Sequence, residues 1–261
     1  MGVANATKSL FDNIRKHITK NADDKLKAWT EDSDLRFDPE ILEETYKMID
    51  DKFKNPSYKM AIREGSLHDA LKSGEFKNQF QVNKSGGLLD KNYRAEHSNR
   101  HFGTEMTPKA LKASEKYGFL GDPNAWTKQY GDYNIDFRPS HVKDRVTAYF
   151  GDSLGSRDRK SFIPGDRATY ANTLYSPEAY YTVPNSAFKQ MNSDVQSLIK
   201  STRPYTEIQY HGPLDISDIQ TITIPEGFLP TWQIKDAANE FGFRVQRPDG
   251  RCLINCDELM P

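Results

Sequence analysis

Residues 205–225, YTEIQYHGPLDISDIQTITIP, decide the fold of this chain. Positions 205–210 alternate between two sets of side chains and are rich in aromatic and β-branched residues, a pattern that is typical of a β-strand. The His-Gly-Pro sequence that follows ends this strand. Residues 214–219 then predict a turn or a short helix, and residues 221–224 predict a second strand.

One face of the first strand carries two polar side chains, Glu207 and Gln209. Because they are two residues apart, both project from the same face. A carboxylate on the core side of a sheet is costly unless it has a partner or faces a cleft. The strand is therefore either half-exposed, with solvated polar side chains, or part of a functional site.

The composition indicates a folded, water-soluble protein. The 261 residues suffice for one large domain or two small ones, and 14 Phe, 13 Tyr and 3 Trp supply material for a core. The net charge of −1, without a basic block, argues against nucleic-acid binding. No apolar run approaches the length of a membrane span, and the N-terminus lacks the pattern of a cleaved signal peptide.

Two short patterns contain residue types that can bind metals. Cys252 and Cys256 have no other Cys and no nearby His, so we expect free thiols, with a disulfide as the alternative. His97 and His101 are four residues apart and would share a helix face, as a zinc pair does. The His-Glu-x-x-His order of a metalloprotease is absent and no third ligand is evident, so no metal site is expected.

The first third of the chain is predicted to be helical. Apolar side chains recur at helical spacing over residues 4–21, and a second helix begins at the Pro after Asp38 and continues to residue 53. Ser66 marks the start of a short helix, which Gly74 ends. Residues 1–82 thus form a helical region, which serves either as a scaffold for the rest of the chain or as a docking surface for a protein acceptor.

The character of the sequence changes after the glycine-containing stretch at 83–87, where we place the domain boundary. Residues 83–261 combine short strands, at 130–137, 146–150, 243–245 and 253–254, with helices from 108, over 186–200 and over 232–241. Short strands after a helical start, with helices between them, predict the α+β class.

Four stretches, in this order, resemble a family of bacterial toxins and secreted effectors, the ADP-ribosyltransferases. They are Lys-Tyr-Gly at 116–118, Tyr-Gly-Asp-Tyr-Asn-Ile at 130–135, Arg-Val-Thr-Ala-Tyr-Phe-Gly-Asp-Ser-Leu at 145–154, and the Glu-x-Gln strand with its aromatic-His-Gly ending. Each motif is short, and their ordered combination carries the resemblance. It covers residues 90–225 and is similar in particular to the effectors that ADP-ribosylate a threonine of ubiquitin.

The resemblance implies a split, mostly antiparallel two-sheet core that holds NAD, the substrate, in the cleft between the sheets. It implies a mono-ADP-ribosyltransferase that is secreted into the host cytoplasm and acts as a monomer, without nucleic acid or membrane. The acceptor is ubiquitin on threonine, or another host protein, so that ubiquitin signalling is blocked. The alternatives are a catalytically inactive module that binds a host protein, and a toxin that hydrolyses NAD.

The resemblance also assigns the catalytic residues. Breaking the bond between nicotinamide and ribose develops positive charge on the sugar, which a nearby carboxylate stabilises. Glu207 is the expected catalytic carboxylate, and Gln209 orients NAD or the acceptor hydroxyl. Many family members carry the acid second in the pair, so the order here leaves the two roles open. Tyr205 stands where arginine-directed enzymes carry another acid, which disfavours an arginine acceptor.

Five further residues are expected to bind NAD. Tyr117, in the Lys-Tyr-Gly stretch, stacks on the nicotinamide, unless it is a core tyrosine. Arg94 or Arg100 clamps the phosphates, since a cation holds pyrophosphate well. Arg145 begins the third matching stretch. Ser153 lies in the turn near its end, where it either braces the carboxylate or belongs to a purely structural turn.

Overall fold

The structure is a computed structural model that describes residues 3–31, 39–83, 89–155, 159–174, 196–197, 199–200 and 205–256. The described chain is α+β with a helical N-terminal region, as expected. The glycines of the proposed domain boundary and most of the helix predicted at 186–200 lie outside the described residues. Among the described helices, none combines the length and apolar character that crossing a membrane requires.

The elements are as follows. The helices are α1 (Val3–Glu31), α2 (Pro39–Lys52), α3 (Glu64–Ser73), α4 (Gln79–Val82), α5 (Lys91–Phe102), α6 (Ala125–Lys128), α7 (Pro139–Val142) and α8 (Trp232–Phe241). The strands are β1 (Tyr58–Ile62), β2 (Lys116–Leu120), β3 (Tyr133–Phe137), β4 (Val146–Phe150), β5 (Thr206–Tyr210), β6 (Ile219–Thr223), β7 (Arg244–Gln246) and β8 (Cys252–Ile254).

The eight strands of the described residues belong to one mixed sheet, in the order β4-β5-β2-β1-β3-β6-β7-β8. Neighbouring strands are antiparallel, except that β6 and β7 are parallel. The resemblance implied two separate sheets, and the continuous ladder corrects that expectation. The ladder is weak at one place, because β1 and β2 pair only through Tyr58↔Leu120 and Lys59↔Phe119.

The sheet has an apolar face and a polar face. In an antiparallel ladder, residues directly opposite one another point to the same side. Ile208 of β5 lies opposite Ala148 of β4, and both belong to the main core, together with Ile234 of α8. The other face carries Glu207 and Gln209. Every residue of β5 is buried, so the interpretation of a half-exposed strand is wrong.

Strand β1 was missed by the sequence analysis, although it lies in the middle of the sheet. It pairs with β3 over its whole length, from Tyr58↔Phe137 to Ile62↔Tyr133. Its five residues are too few for a clear alternation, and Lys59 lies on the same face as Asp136 of β3. The helical region at 1–82 therefore also contains a central strand of the sheet.

The helices of the N-terminal region differ in detail from the prediction. Helix α1 continues to Glu31, because Ala22 and Trp29 extend its buried stripe beyond the predicted end. Its first half packs against Phe102 of α5. Helix α2 begins at the predicted Pro39. Helix α3 starts after Arg63 rather than at Ser66, but it ends at Gly74 with the left-handed φ of 81° that favours glycine.

The two cysteines are joined in a disulfide. Cys252 and Cys256 have Cα atoms 5.5 Å apart, and Asn255 between them adopts a left-handed φ of 54°, which turns the chain back. The expectation of free thiols is therefore wrong. The hairpin predicted in this region is present as the antiparallel pair β7 and β8.

Candidate active site

The polar side of β5 is covered by helix α5. The side chain of Asp90 caps the first turn of this helix by accepting a hydrogen bond from the Tyr93 N–H, and Gly103 ends it with a φ of 60°. A Cβ at Gly103 would lie 2.4 Å from the ring of His17, so glycine also permits α1 to approach. The side of α5 that faces the sheet is mostly polar, with buried Arg94, His97, Ser98 and His101.

Glu207 lies at the centre of this covered face. Its Oε1 accepts a hydrogen bond from Ser153 Oγ at 2.6 Å and another from Gln209 Nε2 at 2.6 Å. The side chain is almost fully enclosed, with 3 % of the residue exposed. The structure therefore brings together three of the predicted site residues around one carboxylate oxygen.

The environment of Glu207 raises its pKa from 4.5 to about 7, chiefly because burial disfavours the charged form. Asp152 raises it further, whereas the hydrogen bonds from Ser153 and Gln209 and the positive charge of Arg94 lower it. A carboxyl group with such a pKa exists in both protonation states near neutral pH. Values of this kind concentrate at catalytic sites.

The Gln209 carboxamide is held by a second set of polar groups. Its Oε1 accepts from Thr147 Oγ1 at 2.7 Å, and Thr147 Oγ1 lies 2.9 Å from His211 Nε2. Because Thr147 has a single proton to donate, the His211 N–H must donate to it. Burial, followed by Lys116 and Arg145, lowers the pKa of His211 to about 3, so its imidazole is neutral. These hydrogen bonds, from His211 to Thr147 and from Thr147 to Gln209, hold the Gln209 amide group in place to donate to Glu207.

Tyr117 and Arg94 form a pair beside Glu207. The Arg94 guanidinium carbon lies 5.2 Å from the centre of the Tyr117 ring, within the range of a cation–π contact. The Tyr117 hydroxyl donates to Glu115, which also accepts from Ser98 Oγ of α5 at 2.5 Å. Burial, and then the charge of Glu115, raise the pKa of Tyr117 well above its usual value. The ring face expected to stack on nicotinamide is therefore covered by a cation.

The other two predicted cation residues have different contacts. Arg145 donates to Asp218 Oδ2 at 2.6 Å and also to the carbonyl oxygen of Pro213, so it ties the start of β4 to the segment after β5. The carbonyl oxygen of Arg100 lies 3.5 Å from His17 Nε2, and the Arg100 charge adds to burial and to the charge of Arg94 in lowering the pKa of His97. Arg94 is thus the predicted cation that acts on Glu207.

Several participants were missed by the sequence analysis. Thr147 lies in the third matching stretch and faces the site because it is opposite Gln209 in the ladder. His97 contacts Ser153, and its ring stacks on that of His101 with centres 4.4 Å apart. No group of three metal-ligating side chains occurs in the part of the chain that the structure describes.

A pocket lies at the beginning of β5, and Tyr205, Thr206, Leu120, Ser57, Asp122 and Asn124 contribute to its lining. Glu207 does not line it. Access to the carboxylate from solvent therefore requires that α5, or the side chains between it and β5, move.

Compared with known proteins, the chain matches no protein-family profile and no curated protein.

Proposed function

We propose that this protein is a mono-ADP-ribosyltransferase that uses NAD to modify a host protein. The observation that carries the proposal is the buried Glu207 carboxyl, held on one oxygen by Ser153 and Gln209. A fixed carboxylate in a water-poor site stabilises the positive charge that grows on the ribose as nicotinamide leaves. The pKa of about 7 leaves a large share of Glu207 ionised at neutral pH.

An ADP-ribosyltransferase-like core would have to divide within this continuous sheet. The place proposed for the division is the short pairing of β1 with β2, which consists of two residue pairs. Gly118 lies at this place, where a Cβ would be 2.1 Å from the carbonyl oxygen of Lys59. Glu207 is on the β2 side of this division and Lys59 on the β1 side.

The binding of NAD in this site requires a rearrangement of Arg94. The nicotinamide ring would occupy the face of Tyr117 that the guanidinium now covers. Stacking on the same ring face is competitive, so nicotinamide displaces Arg94, and the released guanidinium becomes available for a phosphate group. One residue pair thus accounts for both the ring contact and the phosphate contact.

The proposed acceptor is a threonine of ubiquitin, modified in the cytoplasm of a host cell into which the protein is secreted. A threonine hydroxyl is a weak nucleophile, so it must lie against the ribose carbon as the bond breaks. Glu207 at its raised pKa accepts the proton of the hydroxyl in that step. The second residue of the pair, Gln209, is neutral and favours a neutral acceptor over arginine.

The test is an incubation of the purified protein with NAD and ubiquitin, followed by intact mass and fragment-ion analysis. One added ADP-ribose on a ubiquitin threonine supports the proposal, and the Glu207→Gln variant should give none. The absence of a mass shift on ubiquitin, or a shift that maps to arginine, contradicts the acceptor assignment. If another host protein is labelled instead, the proposed transferase activity is supported and the proposed acceptor, ubiquitin, is wrong.

The burial of Glu207 favours a second candidate, a catalytically inactive module that binds a host protein. With 3 % exposure beneath α5, the carboxylate is closed to substrate in the conformation described. The two candidates differ in NAD turnover, which is present in the first and absent in the second. Turnover without labelling of any protein would instead indicate an NAD hydrolase.

A further inference from the structure

We propose that His97 is a positioning residue, which acts through the Ser153 hydroxyl to hold Glu207 in its reactive state. This inference rests on the proposed function and deepens it. The three side chains form one line: His97 Nε2 lies 3.0 Å from Ser153 Oγ, and Ser153 Oγ lies 2.6 Å from Glu207 Oε1. They come from α5, from the segment after β4 and from β5, so the line joins the covering helix to the sheet.

The number of protons on the three groups determines which group donates in each hydrogen bond. Ser153 has one proton, and while it donates that proton to ionised Glu207, its oxygen can only accept from His97. The imidazole then carries its proton on Nε2. When Glu207 is protonated, it donates to Ser153, and Ser153 donates to Nε2, with the imidazole proton on Nδ1. His97 Nδ1 has no hydrogen-bond partner among the described residues, so no bond opposes this change of tautomer.

His97 changes its tautomer without changing its charge. It is 1 % exposed, and burial, followed by the charges of Arg94 and Arg100, lowers its pKa to about 3. The imidazole therefore stays neutral at physiological pH. His101 is its neighbour and is equally buried, but its Nδ1 contacts Ser161 Oγ at 3.1 Å instead. It provides a matched control that touches His97 and not Ser153.

The direction of the effect follows from bond strength. Hydrogen bonds to a charged acceptor are roughly twice as strong as those between neutral groups. The His97–Ser153 pair therefore favours the ionised carboxylate, and its loss should raise the pKa of Glu207 above about 7. A substitution of His97 leaves the other groups that act on Glu207 or share its surroundings chemically unchanged, namely Gln209, Arg94, Asp152, Tyr117 and Tyr205.

The experiment compares two substitutions of His97. Asparagine places its amide at the position of Nδ1 and does not reach Ser153, whereas glutamine reaches the position of Nε2 and keeps a donor there. The protonation of Glu207 is read from its infrared carboxyl band, isolated by subtracting the same protein with Glu207→Gln. The pH profile of NAD turnover is measured in parallel, and thermal unfolding checks that each variant is folded.

His97→Asn should make Glu207 about tenfold weaker as an acid, which lowers turnover at pH 7 about fivefold and leaves it nearly normal at pH 9. His97→Gln should shift the midpoint less, and His101→Gln should not shift it. Ser153→Ala removes the hydroxyl that connects His97 with Glu207. His97→Asn should therefore add no further shift of the Glu207 midpoint in that background.

An unchanged infrared midpoint in folded His97→Asn would overturn the inference, as would an equal loss of turnover at every pH. If that variant does not fold, an unchanged midpoint in Ser153→Ala would do the same. The infrared midpoint does not depend on activity. If the protein shows no NAD turnover, the proposed function is refuted, and the infrared midpoint still shows whether His97 affects the pKa of Glu207.

Discussion

The Arg94 guanidinium lies over the ring of Tyr117, 5.2 Å from its centre, and its charge lowers the pKa of the neighbouring Glu207. A single contact therefore joins a ring, a cation and a carboxylate, which are the three groups that NAD chemistry requires. It also covers the ring face on which nicotinamide would stack, so NAD binding there requires Arg94 to move. Substitutions at the two residues separate these roles.

Tyr117→Ala should weaken NAD binding about tenfold, because stacking needs the aromatic ring. Tyr117→Phe keeps the ring and loses only the hydroxyl that donates to Glu115, so it should bind NAD nearly as the unmodified protein does. Isothermal titration of NAD into each variant measures the difference. Equal, negligible effects of the two changes would show that Tyr117 is a core tyrosine only.

Arg94→Gln and Arg145→Gln should behave differently. Arg94 is the cation released towards the phosphates, so its loss should raise KM for NAD about tenfold. Arg145 is held by Asp218 and Pro213, and its loss should lower Tm by several degrees with KM unchanged. A raised KM for NAD in Arg145→Gln would contradict this prediction and would indicate that Arg145 binds NAD.

Glu207 should make stability depend on pH. Its folded pKa of about 7 is above the unfolded value of 4.5, so stability is lost as pH rises through this interval, on the order of 3 kcal/mol in total. Glu207→Gln should therefore have a higher Tm than the unmodified protein at pH 8 and an equal one at pH 4.5. The exposed Glu240 supplies the control substitution. The same Tm difference at both values would refute the raised pKa.

Gly118→Ala should destabilise the protein by about 2–3 kcal/mol, because the new Cβ would meet the Lys59 carbonyl oxygen at 2.1 Å, where β1 and β2 join. Gly65→Ala, in α3, is the control. No atom lies within 4 Å of its new Cβ, and alanine favours a helix, so it should be neutral or slightly stabilising. Urea unfolding measures both. A neutral Gly118→Ala would contradict the close approach of the strands.

A chain that begins at Ser85 should not fold, since it lacks β1 and therefore a central strand of the sheet. Residues 1–82 were expected to be a helical region that serves either as a scaffold or as a docking surface, and in the second case a truncation would leave the fold of the remaining chain intact. Near-ultraviolet circular dichroism of the truncated chain tests this point. A folded product that still turns over NAD would show that β1 is dispensable.

Helix boundaries and the shared face of Glu207 and Gln209 could be predicted from the sequence, whereas the burial of these two residues beneath α5 could not. Proline and glycine mark helix boundaries directly, as at Pro39 and Gly74. The alternation around Glu207 placed it and Gln209 on one face. Their burial was not predictable, because the covering side of α5 is polar, and a polar helix has the pattern of an exposed one.

Long-range pairing explains the remaining errors. Strand β1 has five residues and is recognised only through its partners in the ladder. The four-residue separation of His97 and His101 gave no sign of their contacts with Ser153 and Ser161, which lie more than fifty residues further along the chain. Such contacts depend on the assembled sheet and have no local signal.

The measurement that tests the central claim most directly is NAD turnover by the protein and by its Glu207→Gln variant, at pH 7 to 8 with ubiquitin present. The substitution retains the shape of the side chain and removes the charge. We expect release of nicotinamide by the unmodified protein and a loss of about 10² to 10³ in the variant, the usual cost of one preorganised electrostatic group. No turnover by the unmodified protein, or turnover in the variant within a few-fold of it, would contradict the assignment of Glu207 as the catalytic carboxylate.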